Sequence, residues 1–241
     1  GCTVVVPVTV FANPTISGGA ALCVSSTLQL TGSGTAASLN AWASSNTAVA
    51  TISNTGQITG LTAGTTNITY TNNNNCSLTS TITVNALPVA TGNNALCAGS
   101  STQLTGTPTP AITTPWSSSN AAIATITNTG LVNGITAGNV VITYTNNVGC
   151  VTTFNLTVNP NPSISGNTVL CVNTSSQLTG SGIPATANPW TSSNTGVATI
   201  SNTGLVNAVS LGITTITYVN SGGCSVITSV NVTNPVVPNF N

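Results

Sequence analysis

A period of 74 residues governs this chain. Trp42, Trp116 and Trp190 fall on it, and so do Tyr70, Tyr144 and Tyr218. Cys23, Cys97 and Cys171 keep the same interval, as do Cys76, Cys150 and Cys224. Self-similarity at a fixed spacing is the signature of repeated structural units. One period back from Cys76 lies Cys2, and Cys2 to Val10 matches Cys76 to Val84. The chain therefore reads as a window of a longer array. Residues 1–13 are expected to be the last strand of a preceding repeat. Residues 14–87, 88–161 and 162–235 are the three repeats, and 236–241 start a linker or a next repeat. The joints fall at Asn13-Pro14, Leu87-Pro88 and Asn161-Pro162. Proline there ends the strand ladder and stiffens the connection. Linkers this short predict that consecutive domains touch.

Each repeat reads as short alternating strands between turn residues. In the first, Thr15 to Ser17 and Ala21 to Cys23 form a split first strand. Leu28 to Thr31, Ala41 to Ser44, Val49 to Ile52 and Gln57 to Thr59 follow, with the turn Asn54-Thr55-Gly56 before the last of these. Ala63-Gly64 is expected to break the chain before a strand over Asn67 to Thr71. The turn Asn72 to Asn75 then leads to a final strand, Ser77 to Val84. Thr and Val suit such half-buried pleated surfaces, and nothing reads as a helix. The expected fold class is all-β, with tandem immunoglobulin-like β-sandwiches in a linear rod-like array.

Composition then excludes most chemistry. The chain has no Asp, Glu, Lys, Arg or His, where an ordinary domain is about a quarter charged. General acid–base catalysis draws on those side chains, and so do the Ser-His-Asp and Cys-His constellations. The sequence predicts no catalytic residue and no enzyme. Carboxylate calcium sites and histidine zinc sites are excluded, and no cofactor is implied. A basic patch for phosphate is also excluded, which removes ordinary nucleic-acid binding. No apolar run approaches the roughly 20 residues of a membrane-spanning helix, so membrane insertion is not expected. Gly1-Cys2-Thr3 has no basic n-region and reads as no signal peptide. A lipid-anchored Cys2 ranks below the repeat register as an explanation.

Trp42, Trp116 and Trp190 on the third strand, and Tyr70, Tyr144 and Tyr218, are expected to be core aromatics. Stacking on carbohydrate is the sharper alternative, but only Ser and Asn lie near the tryptophans. The Asn-rich loops read first as turns and second as glycan contacts.

The segment Trp42-Ala-Ser-Ser-Asn-Thr-Ala-Val-Ala-Thr-Ile-Ser-Asn-Thr-Gly56, continuing through Ile58 to Gly64 and Ile68-Thr-Tyr70, resembles the bacterial immunoglobulin-like group 2 domain. It recurs in all three repeats. That resemblance implies a β-sandwich of the kind found in intimin- and invasin-type adhesins. The Leu-Cys near the first turn and the Cys after the last turn resemble repeats of the giant surface adhesins of gliding Bacteroidetes, exported by type IX secretion. The third repeat departs from the others at Leu211-Gly212, and family members normally carry charges.

Seven cysteines in an otherwise inert chain imply an oxidising compartment and structural disulfides. Metal binding through Cys alone usually uses CxxC pairs, absent here. Three regular pairings exist: Cys23 with Cys76, Cys76 with Cys97, or Cys23 with Cys150. Strands of a sandwich alternate in direction, which puts Cys23 at the C-terminal pole of its domain and Cys76 at the N-terminal pole. A seven-residue strand spans about 23 Å, whereas bridged Cα atoms lie within about 7 Å. The preferred bonds are therefore Cys23–Cys150 and Cys97–Cys224, across the joints, with the within-repeat set as the alternative. Cys2, Cys76 and Cys171 would then have partners outside this window.

The leading functional expectation is a non-catalytic stalk or filament segment of an extracellular, cell-surface adhesin, with gliding motility implied by the resemblance. Its partners are neighbouring repeats of the same chain, with self-association and glycan surfaces next. At roughly 40 Å per domain, three repeats would reach about 120 Å. Uncharged surfaces offer trypsin-like proteases no site, and no side chain titrates between about pH 3 and 8. Lys-dependent isopeptide crosslinks are impossible. A second expectation is a glycan- or surface-binding module, for which residues 104–115 with Pro108, Pro110 and Pro115 are the most divergent candidate. A third is a fibre subunit assembling through sheet edges that no charge protects. Ice binding is disfavoured by the long period.

Overall fold

The computed structural model describes residues 2–235. The expectation for residues 236–241 lies outside them. The chain forms two compact units. One holds the first repeat with residues 107–112 and 145–152, and the other holds the rest of the second repeat and the third.

In the first repeat the strands are β1 (Ile16–Ser17), β2 (Ala21–Cys23), β3 (Thr27–Gln29), β4 (Thr31–Gly32), β5 (Trp42–Ser44), β6 (Ala50–Ile52), β7 (Gln57–Gly60), β8 (Gly64–Thr71) and β9 (Ser77–Asn85). One sheet runs β2-β9-β8-β5, and the facing one runs β3-β7-β6, with β1-β4 beside it. The split first strand serves both sheets. β1 pairs antiparallel with β4. β2 pairs parallel with β9 and sets Cys23 opposite Asn85. This is an immunoglobulin-like sandwich. The third repeat has the same strand order. In the second, Ser101–Thr107 is one continuous strand where the other repeats have two.

Alternation of side chains builds the core. Along β8, Thr66, Ile68 and Tyr70 are buried, while Thr65, Asn67 and Thr69 face outward or lie half-covered. Ile82 and Val84 of β9, Leu22, Leu30, Trp42, Ala50 and Ile58 complete the apolar layer. Each fully buried aliphatic side chain contributes about 1.5–3 kcal/mol. Thr66 is a buried aliphatic hydroxyl in that layer. Its Oγ1 accepts the Asn46 N–H at 3.0 Å and pairs with Ser44 Oγ at 3.0 Å.

Two glycine positions of the repeat are dictated by close approach. A Cβ on Gly32 would fall inside the ring of Tyr70, and Gly106 and Gly180 stand in the same relation to Tyr144 and Tyr218. Gly56, with φ of 84°, turns the chain so closely under Leu30 that its own Cβ would strike the Leu30 carbonyl.

Two expectations need correction. The strand before the last turn begins at Gly64, not Asn67. Gly64, Thr65 and Thr66 keep ladder partners Val84, Thr83 and Ile82, so the glycine bends the chain without leaving the sheet. Residues 2–13 form no strand and are exposed up to Asn13. A strand takes its hydrogen bonds from a neighbour, and this segment has no paired neighbour among the described residues.

Candidate functional site

The cysteines occupy two repeating local settings. The first is a strand end. Cys23 closes β2, and its carbonyl accepts Ser26 Oγ at 2.7 Å. Cys97 and Cys171 do the same with Ser100 Oγ at 2.6 Å and Thr174 Oγ1 at 2.7 Å. A short hydroxyl side chain three residues on thus closes each turn. The second setting is the hairpin between the last two strands. Asn146 Oδ1 accepts the N–H of Val148 at 3.2 Å and of Cys150 at 2.9 Å. Asn72 holds Asn74 and Cys76 in the same way, both at 3.0 Å, and Asn220 holds Cys224 at 3.0 Å. These asparagines are buried. Their side chains satisfy amides that would otherwise be stranded in the turn.

The structure brings one cysteine of each kind together. In the first unit Cys23 is bonded to Cys150, with Cα atoms 5.7 Å apart. In the second, Cys97 is bonded to Cys224, with Cα atoms 5.6 Å apart. Each bond passes over two cysteines of the sequence and links consecutive repeats. Side-chain amides add to the second joint. Asn159 Nδ2 donates to the Gly222 carbonyl at 3.1 Å, and Asn220 Nδ2 donates to the Pro160 carbonyl at 3.1 Å. Gly222 is needed there, since a Cβ would meet the Asn159 amide at 2.7 Å. A cleft of about 480 Å³ opens beside Cys97, lined by Asn93, Ser100, Ser101, Thr102, Gly222 and Gly223 among others. It offers hydroxyls and amides but no charge. Cys2 is an exposed free thiol, and Cys76 and Cys171 are partly covered free thiols.

The aromatics lie elsewhere. Trp42 and Tyr70 face each other across β5 and β8, with ring centroids 4.6 Å apart. The other two pairs sit at 4.6 and 4.5 Å. Trp42 is 7% exposed and Trp116 and Trp190 are 6%, which leaves no ring face for a sugar to stack on. Burial pushes the Tyr144 hydroxyl above its ordinary value. In the divergent 104–115 segment, Pro110 bridges to Asn146, Pro115 is buried and Ile112 is exposed. Among the described residues no group of three or more metal-ligating side chains gathers, and no helix is long and apolar enough to cross a membrane.

Sequence reasoning missed the buried asparagines, which read as ordinary turn residues. Their signal was the fixed Asn-x-x-x-Cys spacing in every repeat. It also missed Gln29, Gln103 and Gln177. Each amide donates to two carbonyls, Gln29 Nε2 to Leu30 at 2.7 Å and Thr55 at 2.8 Å.

Comparison with known proteins identifies a family. Residues 4–84, 83–158 and 151–230 match the bacterial Ig-like domain (group 2) family. No curated protein matches. Among solved structures, invasin, a bacterial integrin-binding protein, is similar at 16% identity and a TM-score of 0.42. The match covers 91% of this chain and 59% of that one. Domains 4 and 5 of the S-layer protein SbsC match at 23% identity and a TM-score of 0.26, over 60% of this chain and 96% of theirs. A 282-residue C-terminal fragment of intimin, solved with the intimin-binding domain of its translocated receptor, matches at 14% identity and a TM-score of 0.34. That match covers 69% of this chain and 56% of the fragment's.

Proposed function

The chain belongs to the bacterial Ig-like domain (group 2) family, and from that premise we propose that it is a passive structural segment of a bacterial surface protein. It acts as a spacer whose joints are locked by disulfides. The observation that carries this reading is the pair of bonds Cys23–Cys150 and Cys97–Cys224, each joining one repeat to the next. A linker of a few residues leaves two domains free to bend. A second covalent tether at the same joint removes most of that freedom.

The composition supports the passive role. With no Asp, Glu, Lys, Arg or His, the chain lacks the usual groups for proton transfer. Its surface hydroxyls and amides leave little for salt or pH to act on. The disulfides fit an oxidising, extracellular setting. The reading extends to the surface adhesins of gliding Bacteroidetes exported by type IX secretion, which the cysteine pattern resembles. Flanking sequence that carries a sorting domain would support that assignment.

The test is joint mobility. Dyes attached at non-cysteine sites on repeats 1 and 2 would report the distance distribution across the first joint by single-molecule energy transfer. The distribution should be narrow in the oxidised chain and broaden on reduction. A distribution unchanged by reductant would overturn the locked-spacer reading. Glycan binding by the intact oxidised chain on an array would overturn its passivity.

A further inference from the structure

Each joint disulfide pairs a covered residue with a reachable one. Cys150 and Cys224 are each 1% exposed, whereas their partners Cys23 and Cys97 are only half-covered. The second joint shows why. Cys224 sits in its hairpin with its N–H held by Asn220 Oδ1 at 3.0 Å. Its Sγ lies 4.0 Å from the Asn159 carbonyl oxygen and 3.9 Å from that of Gly222. Cys97 instead closes the strand Ala95–Cys97 beside the cleft of about 480 Å³. Cys97 is among the residues lining that cleft, and Cys224 is not. Gly223 keeps the opposite wall low, since a Cβ there would meet nothing within 4 Å.

Disulfide exchange depends on which sulfur is attacked and on access to it. A thiolate coming at Cys224 is stopped by its cover and repelled by two carbonyl oxygens. A thiolate coming at Cys97 enters an open cleft with no carboxylate to repel it. We propose that Cys97, and Cys23 at the first joint, are sites of S-thiolation. A low-molecular-weight thiol opens each joint bond at the strand-end sulfur and remains there as a mixed disulfide. The inference rests on the two bonds that carry the spacer reading, but not on what they do to joint mobility.

The step balances with the thiol as sole co-reactant. Its sulfur bonds to Cys97 Sγ, the Cys97–Cys224 bond breaks, and Cys224 leaves as thiolate. Cys224 takes up the proton that the attacking thiol gave off, and its S–H then has the Asn159 and Gly222 carbonyls as acceptors. A protonated sulfur is a poor nucleophile, so these acceptors slow the return of Cys224 onto the adduct. A second thiol can attack the outer sulfur of the adduct and free Cys97. One protein disulfide is then reduced and two small thiols are oxidised to their disulfide.

The experiment uses the full oxidised chain. Cys2, Cys76 and Cys171 are first blocked with a light maleimide. The folded chain then meets excess reduced glutathione for a short time, and new thiols are capped with a heavy maleimide. Pepsin digestion in acid preserves the adducts, and trypsin would find no Lys or Arg to cut. Glutathione should map to Cys97 and Cys23, and the heavy maleimide to Cys224 and Cys150, with the reverse pattern at least about tenfold rarer. Ser101→Trp, which fills the cleft from an exposed position, should slow adduct formation at Cys97 by about tenfold and leave Cys23 unchanged. The unchanged Cys23 rate also shows that the variant is folded. Glutathione on Cys224 or Cys150 to an equal extent overturns the inference and leaves the spacer reading standing. So do bonds that resist glutathione until urea is added, or a Ser101→Trp chain that reacts at Cys97 as fast as the parent. A chain mapped as thiolated whose joint distances stay those of the oxidised chain would overturn the spacer reading and leave this inference standing.

Discussion

Removing the two disulfides one at a time should lengthen the stretched chain very unequally. The bonds overlap in sequence. Each spans 127 residues, and Cys97 lies inside the loop closed by Cys23 and Cys150. Consider a chain pulled from Gly1 and Asn241 until every sandwich has unfolded. With both bonds intact, the shortest covalent route runs from Gly1 to Cys23, crosses to Cys150, returns to Cys97, crosses to Cys224 and continues to Asn241. That route has about 92 residue steps, and at about 3.6 Å per step it reaches about 340 Å. With either bond alone, the route has about 113 steps and reaches about 410 Å. With neither, about 240 steps reach about 860 Å. Cys23→Ser should therefore add only about 70 Å, and Cys23→Ser with Cys97→Ser should add about 450 Å more. Single-molecule force spectroscopy of the oxidised chain and the two variants measures these lengths directly. Bonds within repeats would instead release about 185 Å each, additively. Equal increments from the two substitutions would refute the overlapping arrangement.

Three further outcomes follow from the packing. Gly180→Ala should destabilise the third repeat by about 1–3 kcal/mol, because its methyl group must displace the Tyr218 ring; urea unfolding followed by tryptophan fluorescence would show it. Asn220→Ala leaves the Cys224 N–H without its acceptor and the hairpin without its key. A loss of about 1–3 kcal/mol is expected on the same assay, and a neutral result would mean that the hairpin holds without it. Stability should be nearly flat from about pH 4 to 8, since the usual titrating groups are missing. The Tyr144 hydroxyl is held above its ordinary value by burial, so the folded state binds that proton more tightly than the unfolded one. Its contribution is full below about pH 10 and is lost as pH rises above that. Thermal melts should show an alkaline decline that is smaller in Tyr144→Phe.

The period and the strands were readable because each repeat states them again. A single Asn54-Thr55-Gly56 is an ordinary turn, but three copies in register fix a turn. For the cysteines, the sequence offers strand direction, which assigns Cys23 and Cys76 to opposite poles. Side-chain packing across the sandwich was not readable. Nothing local marks Gly32 as the floor beneath Tyr70, since the two residues meet only when β4 crosses over β8. Asn72 was hidden for a different reason. Its composition is that of any exposed turn, and only its fixed spacing from Cys76, repeated at Asn146 and Asn220, sets it apart in the sequence. The start of β8 was misread because Gly64 interrupts the side-chain pattern while its backbone stays in the ladder. Residues 2–13 have the composition of a strand, yet a strand exists only where a neighbour shares its hydrogen bonds.

The overlap of Cys23–Cys150 with Cys97–Cys224 also decides how the chain fails when its backbone is severed. A single scission anywhere between Cys23 and Cys224 is bypassed by at least one bond. So is any pair of scissions, because whatever fragment is released, the two outer ends stay covalently connected. They part only after three breaks, one between Cys23 and Cys97, one between Cys97 and Cys150, and one between Cys150 and Cys224. Such redundancy suits any chain that proteases can reach. The array tolerates injury as a woven cord does, by sharing each break among strands that run past it.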